Sequence, residues 1–271
     1  MSVALITGAS AGLGVTFARK LAQAGHNVIL VARRRDRLEQ VAADIARDYR
    51  VQTDILVADL ATDTGIQTVA DHIRAIPDLA VLVNNAGFGT KGLFFQADLA
   101  GQEQMHRVHV MAIMHLCHAA LRGMVERKKG AIINVSSVAA FTIGAGSVSY
   151  GATKAWINAF TKGLDAELRV INSPVRVQAL CPGFTVTEFH ETLGMDRGLV
   201  PKWLWLQADY VVDASLRALE TDKVIVIPSW KYKLPVMVMT RLPEALLRKM
   251  AQATGRRMKR LDQQPPGSPT Q

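Results

Sequence analysis

Val3-Ala4-Leu5-Ile6-Thr7-Gly8-Ala9-Ser10-Ala11-Gly12-Leu13-Gly14 opens the chain with a short apolar run and a glycine-rich turn. From Val15 to Ala24 the apolar residues recur with helical spacing, and Gly25 closes the pattern. A strand, a glycine turn and a helix start make an anion site. Backbone N–H groups and the helix dipole point at a pyrophosphate, and glycines let it come close. The spacing is Gly-x-x-x-Gly-x-Gly, not the commoner Gly-x-Gly-x-x-Gly. A tight strand-to-helix turn that needs glycine only for its backbone angles is the competing reading.

The next apolar run, Asn27 to Ala32, bears on which nucleotide fits. An acid near the end of this strand would bond a ribose 2′-hydroxyl, whereas arginine accommodates a 2′-phosphate. Ala32 stands there, followed by Arg33-Arg34-Arg35, and no carboxylate comes before Asp36. The pattern favours NADP(H) over NAD, with Arg33 best placed to touch the cofactor. Arg35 and Arg37 read as the solvated start of an amphipathic helix, a reading that also remains open for Arg33.

Beyond this point strand and helix alternate. Strands are expected over Val51 to Ala58, Leu79 to Val83, Ala131 to Val135, Val175 to Leu180 and Val224 to Ile227. Helices are expected over Thr62 to Ala75, Leu99 to Arg127, Ser149 to Asn172 and Ala208 to Glu220. The strands are nearly continuous β-branched runs, as in a parallel sheet covered on both faces. The fold class is therefore α/β, a doubly wound parallel sheet of Rossmann type in a single domain. Ligands of such sheets lie beyond the strand C-termini. Gly8, Asp59, Asn84, Ser137 and Pro182 all fall at such ends.

Tyr150 and Lys154 are four residues apart on a predicted helix, so phenol and ammonium share one face about one turn apart. A cation near a phenol favours the phenolate, and the tyrosine pKa is expected to fall towards the working pH. Such a tyrosine exchanges a proton with an alcohol oxygen. Taken alone, Tyr-x-x-x-Lys also describes many solvated helix faces.

Taken in order, Thr7-Gly8-x-x-x-Gly12-x-Gly14, Asn84-Asn85-Ala86-Gly87, Ser137, Tyr150-x-x-x-Lys154 and Pro182-Gly183-x-x-x-Thr187 resemble the motifs of the short-chain dehydrogenase/reductase family. The resemblance covers about Ser2 to Ile227. It implies that Tyr150 is the general acid in reduction and the base in oxidation. Lys154 lowers the tyrosine pKa and holds the nicotinamide ribose, and Ser137 hydrogen-bonds the substrate oxygen. For the cofactor it implies contacts from Thr7, Gly8, Ser10, Gly12, Leu13, Gly14, Asp59, Leu60, Asn85, Ala86, Gly87, Tyr150, Lys154, Pro182 and Gly183. Thr187 would meet the nicotinamide carboxamide, with Thr185 as substitute. No metal is needed. Dimers or tetramers, built through two long helices, are common in the family, and a C-terminal extension like this one occurs in a broad-specificity bacterial branch.

One position departs. Where the family's central helix carries an asparagine of the proton relay, this chain has His109. An imidazole donates and accepts, so His109 is a catalytic candidate; a tolerated ring that merely packs is the alternative. His106 and His109 share a helix face opposite His115 and His118, which argues against a four-histidine metal site.

Composition divides the 271 residues into a catalytic domain over 1–228, an apolar and basic extension over 229–255, and a disordered end over 256–271. Lys and Arg number 9 against 2 acids from Ser229 onward, so +7 of the net +9 lies there. The remaining +2 disfavours a nucleic-acid-binding fold. The extension suits contact with anionic lipid over 229–260, or packing on the substrate cleft or a second subunit. The chain starts at its first strand, which predicts no signal peptide. No apolar run was expected to approach the ~20 residues that span a bilayer. Cys117 and Cys181 look like small buried hydrophobes suited to a reducing cytosol, so a cytoplasmic location, peripheral at the membrane, is expected.

Phe184 to Gln207 is too long for an ordinary connection and is expected to form a substrate loop or lid. Phe189, Met195, Leu199, Trp203, Leu204 and Trp205, with Ala139 and Phe141, suggest an apolar ketone, aldehyde or alcohol. The two tryptophans anchoring the loop on the core is the alternative, and Lys202 and His190 are the polar candidates. The expected activity is NADP(H)-dependent carbonyl reduction or alcohol oxidation, fatty-acyl 3-oxo reduction being a narrower form. A weak NADP(H)-binding redox sensor or a membrane-docked scaffold is the competing class.

Overall fold

A computed structural model describes residues 2–90, 92–142, 144–189, 198, 200–249 and 251–252. Met195, Leu199 and His190, and the end expected to be disordered over 256–271, lie outside the described residues.

Seven strands form one parallel sheet in the order β3-β2-β1-β4-β5-β6-β7. They are β1 (Val3–Thr7), β2 (Asn27–Ala32), β3 (Thr53–Val57), β4 (Leu79–Asn84), β5 (Ala131–Val135), β6 (Arg176–Leu180) and β7 (Ile225–Val226). β3 and β7 are shorter than the apolar runs that predicted them, because each is an edge strand that ends with its neighbour's ladder. The chain winds outward from β1 to β3, then restarts at β4 beside β1. That reversal opens a crevice above the C-termini of β1 and β4, where ligands of open α/β sheets bind.

Successive strand residues point to opposite faces, so the sheet feeds two cores. Ala4, Ile6, Val28 and Leu30 pack against Phe17 and Leu21 of α1 (Gly12–Gln23), Leu38 and Ile45 of α2 (Arg35–Tyr49), and Val211 and Val212 of α7 (Ala208–Ala218). Leu5, Ile29, Val31 and Leu82 pack against Ile66 and Ile73 of α3 (Asp63–Ala75), Leu116 and Ala120 of α5 (Ile113–Glu126), and Ile157 and Leu168 of α6 (Val148–Val170).

The long central helix is not uniform. α4 (Leu99–His106) and α5 are joined by a π-helical turn over Arg107–Ala112, which carries His109. Such bulges insert an extra residue per turn and recur at functional sites. Leu99–Glu126 as a whole is 28 residues and apolar enough to cross a membrane by length and composition, contrary to the expectation from the sequence. Half of its most apolar window is buried, with Met105, Leu116, Cys117 and Met124 in the core.

After β7 the extension folds back as α8 (Trp230–Met239), capped by the Ser229 hydroxyl on the Lys231 N–H. Pro235 lies on its exposed side and does not break it.

Candidate active site

The glycine turn is shaped by three forces. Gly8 and Gly12 have φ of +66° and +55°, where a side chain is strained. Gly14 has no room: a Cβ there would stand 2.2 Å from the Gly8 carbonyl oxygen and 2.7 Å from Asn85 Nδ2. Asn85 Nδ2 donates to the carbonyls of Thr7 and Gly8, while the N–H groups of Asn85 and Ala86 donate to Thr7 Oγ1. Thr7 and Asn85 thus spend these polar atoms on fixing the turn to β4. At the N-terminus of α1, Ala11 supplies no side-chain cap and the first turn holds no acid. No side-chain cap and no carboxylate of the helix's own competes there for the first N–H groups, which fits a pyrophosphate.

Around the turn the arginines sort themselves. Arg33 Nη1 lies 3.9 Å from Asp59 Oδ2, at the end of β3, with both side chains solvent-accessible. Asp59 Oδ1 also accepts from the Ala61 N–H, and the Leu60 side chain is buried in the core. Arg34 Nη2 donates to Ser10 Oγ at 3.2 Å, so Arg34 reaches the glycine turn itself. The sequence reading missed this residue, although it lay inside the arginine run. Arg37, expected to be solvated, lies 3.6 Å from Glu188, and Arg35 pairs with Glu39 one turn on.

Beyond β5, Ser137 caps a short 3-10 helix over Val138–Phe141, its Oγ accepting from the Ala139 N–H at 3.1 Å. That leaves the hydroxyl hydrogen to be donated. Tyr150, in the first turn of α6, is half-buried, and its phenol interacts with Ser137. Lys154 Nζ sits 5.6 Å from the centre of the Tyr150 ring and donates to the Val135 carbonyl at 2.9 Å. The three side chains predicted from separate segments are therefore together.

Their electrostatics differ from expectation. Burial pushes the Tyr150 phenol up to about 12, with the Ser137 hydrogen bond acting in the opposite direction. Burial also brings the Lys154 ammonium down to about 7. Lys154 faces the ring of Tyr150 and spends a donor on the Val135 carbonyl, so desolvation outweighs the pairing. Burial thus keeps the phenol protonated at neutral pH. Absorbance titration near 295 nm of the cofactor-free protein should show one tyrosine, absent from Tyr150→Phe, still un-ionised at pH 10; its ionisation below pH 9 would contradict this assignment.

His109 is fully buried beside this group. Its ring packs edge-on to Tyr150 with centroids 5.8 Å apart, and Nδ1 is 2.9 Å from Thr153 Oγ1. Thr153 donates its proton to the Tyr150 carbonyl, so it must accept from Nδ1–H. Burial, then Lys154 and His106, keep the imidazole neutral, which makes Nε2 an acceptor. Among the described residues Nε2 has no partner, and a Cβ on Gly87 would stand 2.6 Å from it. Asn84 Nδ2 donates to Asn134 Oδ1 at 2.8 Å, while Asn84 Oδ1 has no partner among the described residues.

The substrate segment is pinned from below. Tyr232 of α8 lies under Gly183, where a Cβ would fall 2.1 Å from the ring. The Tyr232 hydroxyl donates to the Leu204 carbonyl and accepts from the Phe184 N–H, joining both ends of the segment. No sequence signal pointed to Tyr232, because the contact joins residues 48 apart. Pro182 accepts from the Val138 N–H, tying it to the Ser137 turn. Thr185 is buried with its hydroxyl on the Gly183 carbonyl, and Thr187 approaches Gly12 over the turn. Phe189 packs 6.1 Å from the Tyr150 ring. Trp205 anchors the segment through Nε1 on the Val200 carbonyl, whereas Trp203 is 61% exposed. Among the described residues no His, Cys, Asp and Glu cluster could hold a metal ion.

The sequence profile of the short chain dehydrogenases matches residues 2–198. The chain belongs to the short-chain dehydrogenase family. It is an oxidoreductase of that type, a family that works with a nicotinamide cofactor. It is 35% identical over 192 residues to the 3-oxoacyl-[acyl-carrier-protein] reductase FabG of Aquifex aeolicus, covering 70% of this chain and 77% of that one. It is 34% identical over 186 residues to the human inactive hydroxysteroid dehydrogenase-like protein 1, covering 68% of this chain and 56% of that protein. A short-chain dehydrogenase from Sphingobium yanoikuyae, solved in complex with NADPH, superposes with a TM-score of 0.79 at 30% identity, over 100% of this chain and 99% of that one.

Proposed function

We propose that this short-chain dehydrogenase transfers hydride between NADP(H) and a hydrophobic ketone, aldehyde or secondary alcohol. The observation that carries the reading is the Ser137–Tyr150–Lys154 cluster, two half-buried hydroxyls beside a buried amine, next to an uncapped glycine turn. The nicotinamide supplies the hydride when bound. In reduction, Tyr150 gives its phenolic proton to the carbonyl oxygen, for which a phenol held neutral is the right starting state. Ser137 donates to the same oxygen and orients it as charge develops there. Lys154 faces the phenol and favours its anion once the proton has left. Alcohol oxidation runs the same groups in reverse.

His109 is a positioning residue in this reading. Its Nδ1–H holds Thr153 and through it the Tyr150 main chain, while the Nε2 acceptor offers an anchor for a relay water. NADPH oxidation followed against a panel of apolar and charged ketones tests the proposal. Turnover confined to the apolar ones is expected, because Phe189 packs against the Tyr150 ring and the nearby Lys154 amine already donates to the Val135 carbonyl. Fatty-acyl 3-oxo compounds belong in that panel, in view of the Aquifex relative.

The arginines support NADP(H) as cofactor. Removing Arg33 and Arg34 together should raise KM for NADPH about tenfold or more and leave that for NADH within about twofold, since a charge-assisted contact to a 2′-phosphate contributes roughly 1.5–3 kcal/mol. Equal rises for both cofactors would mean that the pair serves only the pyrophosphate.

A second reading, a weakly active NADP(H)-binding redox sensor, is favoured by His109 and by the inactive human relative. Tight NADPH binding with no turnover on any carbonyl would support it. We further propose a homodimer or homotetramer in the cytoplasm, with 1–228 as the catalytic domain and 229–255 as an extension. The free thiols of Cys117 and Cys181, raised by burial to about 12 and about 11, suit that reducing setting.

A further inference from the structure

α8 has two faces with different fates. Tyr232 and Val236 are buried and hold the substrate segment. Trp230, Leu234, Met237 and Val238 recur at i, i+4, i+7 and i+8, which puts them on one side of the helix. Their exposures are 72%, 52%, 45% and 50%. Trp203 adds a second tryptophan at 61% exposure, joined to α8 because Lys231 Nζ lies over its ring and donates to its carbonyl.

Cations rim this apolar strip. Lys231 and Lys233 flank it, and exposed Arg241 continues it at the helix end. Among the described residues after Ser229, Lys231, Lys233, Arg241, Arg248 and Lys249 stand against Glu244, which is itself paired with Arg248. An apolar strip with two tryptophans and a basic rim matches the headgroup boundary of a negatively charged bilayer. The side chains enter the acyl region and the ammonium groups reach back to phosphates. A second copy of the same face is a poorer match, because two-fold pairing would bring like charges together.

We propose that α8, with Trp203, docks on an anionic lipid surface. Through Tyr232 and Leu204 the docked helix is the same element that pins the 184–207 segment. The inference concerns a surface and does not rest on the catalytic reading.

The test uses the full chain and sedimentation with vesicles of phosphatidylcholine alone or mixed 7:3 with phosphatidylglycerol. Binding to the mixed vesicles, falling at high salt, is expected, together with a blue shift of tryptophan emission that Trp203→Phe/Trp230→Phe abolishes. Leu234→Glu/Val238→Glu should weaken binding at least about tenfold. Lys233→Glu, at an exposed position, should do the same if the first pair perturbs folding by circular dichroism. Equal binding to both vesicle types overturns the proposal, as does no binding to either. Unchanged binding of both variants overturns it too, by assigning the attraction to Arg256, Arg257, Lys259 and Arg260. A dimer that Leu234→Glu/Val238→Glu splits, without any lipid binding by the parent chain, would make the face a self-interface.

Discussion

Tyr150→Phe lowers the turnover of carbonyl reduction by about 10²–10⁴-fold, the range in which a positioned general acid contributes. KM for NADPH and thermal stability stay close to those of the parent chain. The change removes one oxygen from a half-buried ring and leaves the packing against His109 and Phe189 in place. Neither neighbour replaces it. Ser137 can donate a hydrogen bond but is a far weaker acid than a phenol, and Lys154 donates to the Val135 carbonyl. Ser137→Ala is expected to cost less, about 10²-fold, since it removes an orienting donor and not the proton source. Steady-state kinetics on the purified variants check both. Tyr150→Phe turnover within tenfold of the parent would mean that another group supplies the proton.

Gly14→Ala has the second largest effect, on the other half of the site. The new methyl would stand 2.2 Å from the Gly8 carbonyl, which is backbone and cannot swing aside. Either α1 moves off β1 or the turn opens, and both spoil the N–H cradle. Overpacking of this kind costs about 1–3 kcal/mol, which for a chain this size lowers Tm by roughly 2–12 °C. NADPH affinity should fall about a hundredfold or more, because donors aimed at one anion act together. Gly25→Ala is the control. It has φ of +86° but nothing within 4 Å of the new methyl, so it should cost only about 1–2 kcal/mol and leave NADPH affinity unchanged. Calorimetric titration and thermal melts separate the two variants. Equal NADPH affinity in both would remove close approach as the reason for glycine at position 14.

The inner strands were legible because they are apolar runs that the parallel sheet buries on both faces, and β2 and β5 have the predicted bounds. The turn and the Ser137, Tyr150 and Lys154 side chains were legible because each follows a strand end or a helix turn at fixed spacing. What escaped depends on contacts between distant segments. The π turn at Arg107–Ala112 reflects how α4 and α5 settle on their neighbours, which periodicity over Leu99 to Arg127 does not encode. Arg34 and Arg33 differ only in which way the chain bends into α2, and that bend brings Arg34 to Ser10. Tyr232 lies 48 residues from the Phe184 N–H it receives. The tyrosine pKa was misjudged because pair spacing reports the cation and not the desolvation that accompanies it.

A crystal structure of the protein with NADPH and a non-reacting ketone analogue tests the central claim most directly. The distance to measure is from Tyr150 Oη to the analogue's carbonyl oxygen. A value of about 2.6–3.2 Å is predicted, with the carbonyl carbon about 3–3.5 Å from the nicotinamide carbon that carries the hydride. A phenol turned away from a ketone seated on the nicotinamide, or a nicotinamide ring bound outside the Ser137–Tyr150–Lys154 cluster, would contradict the account.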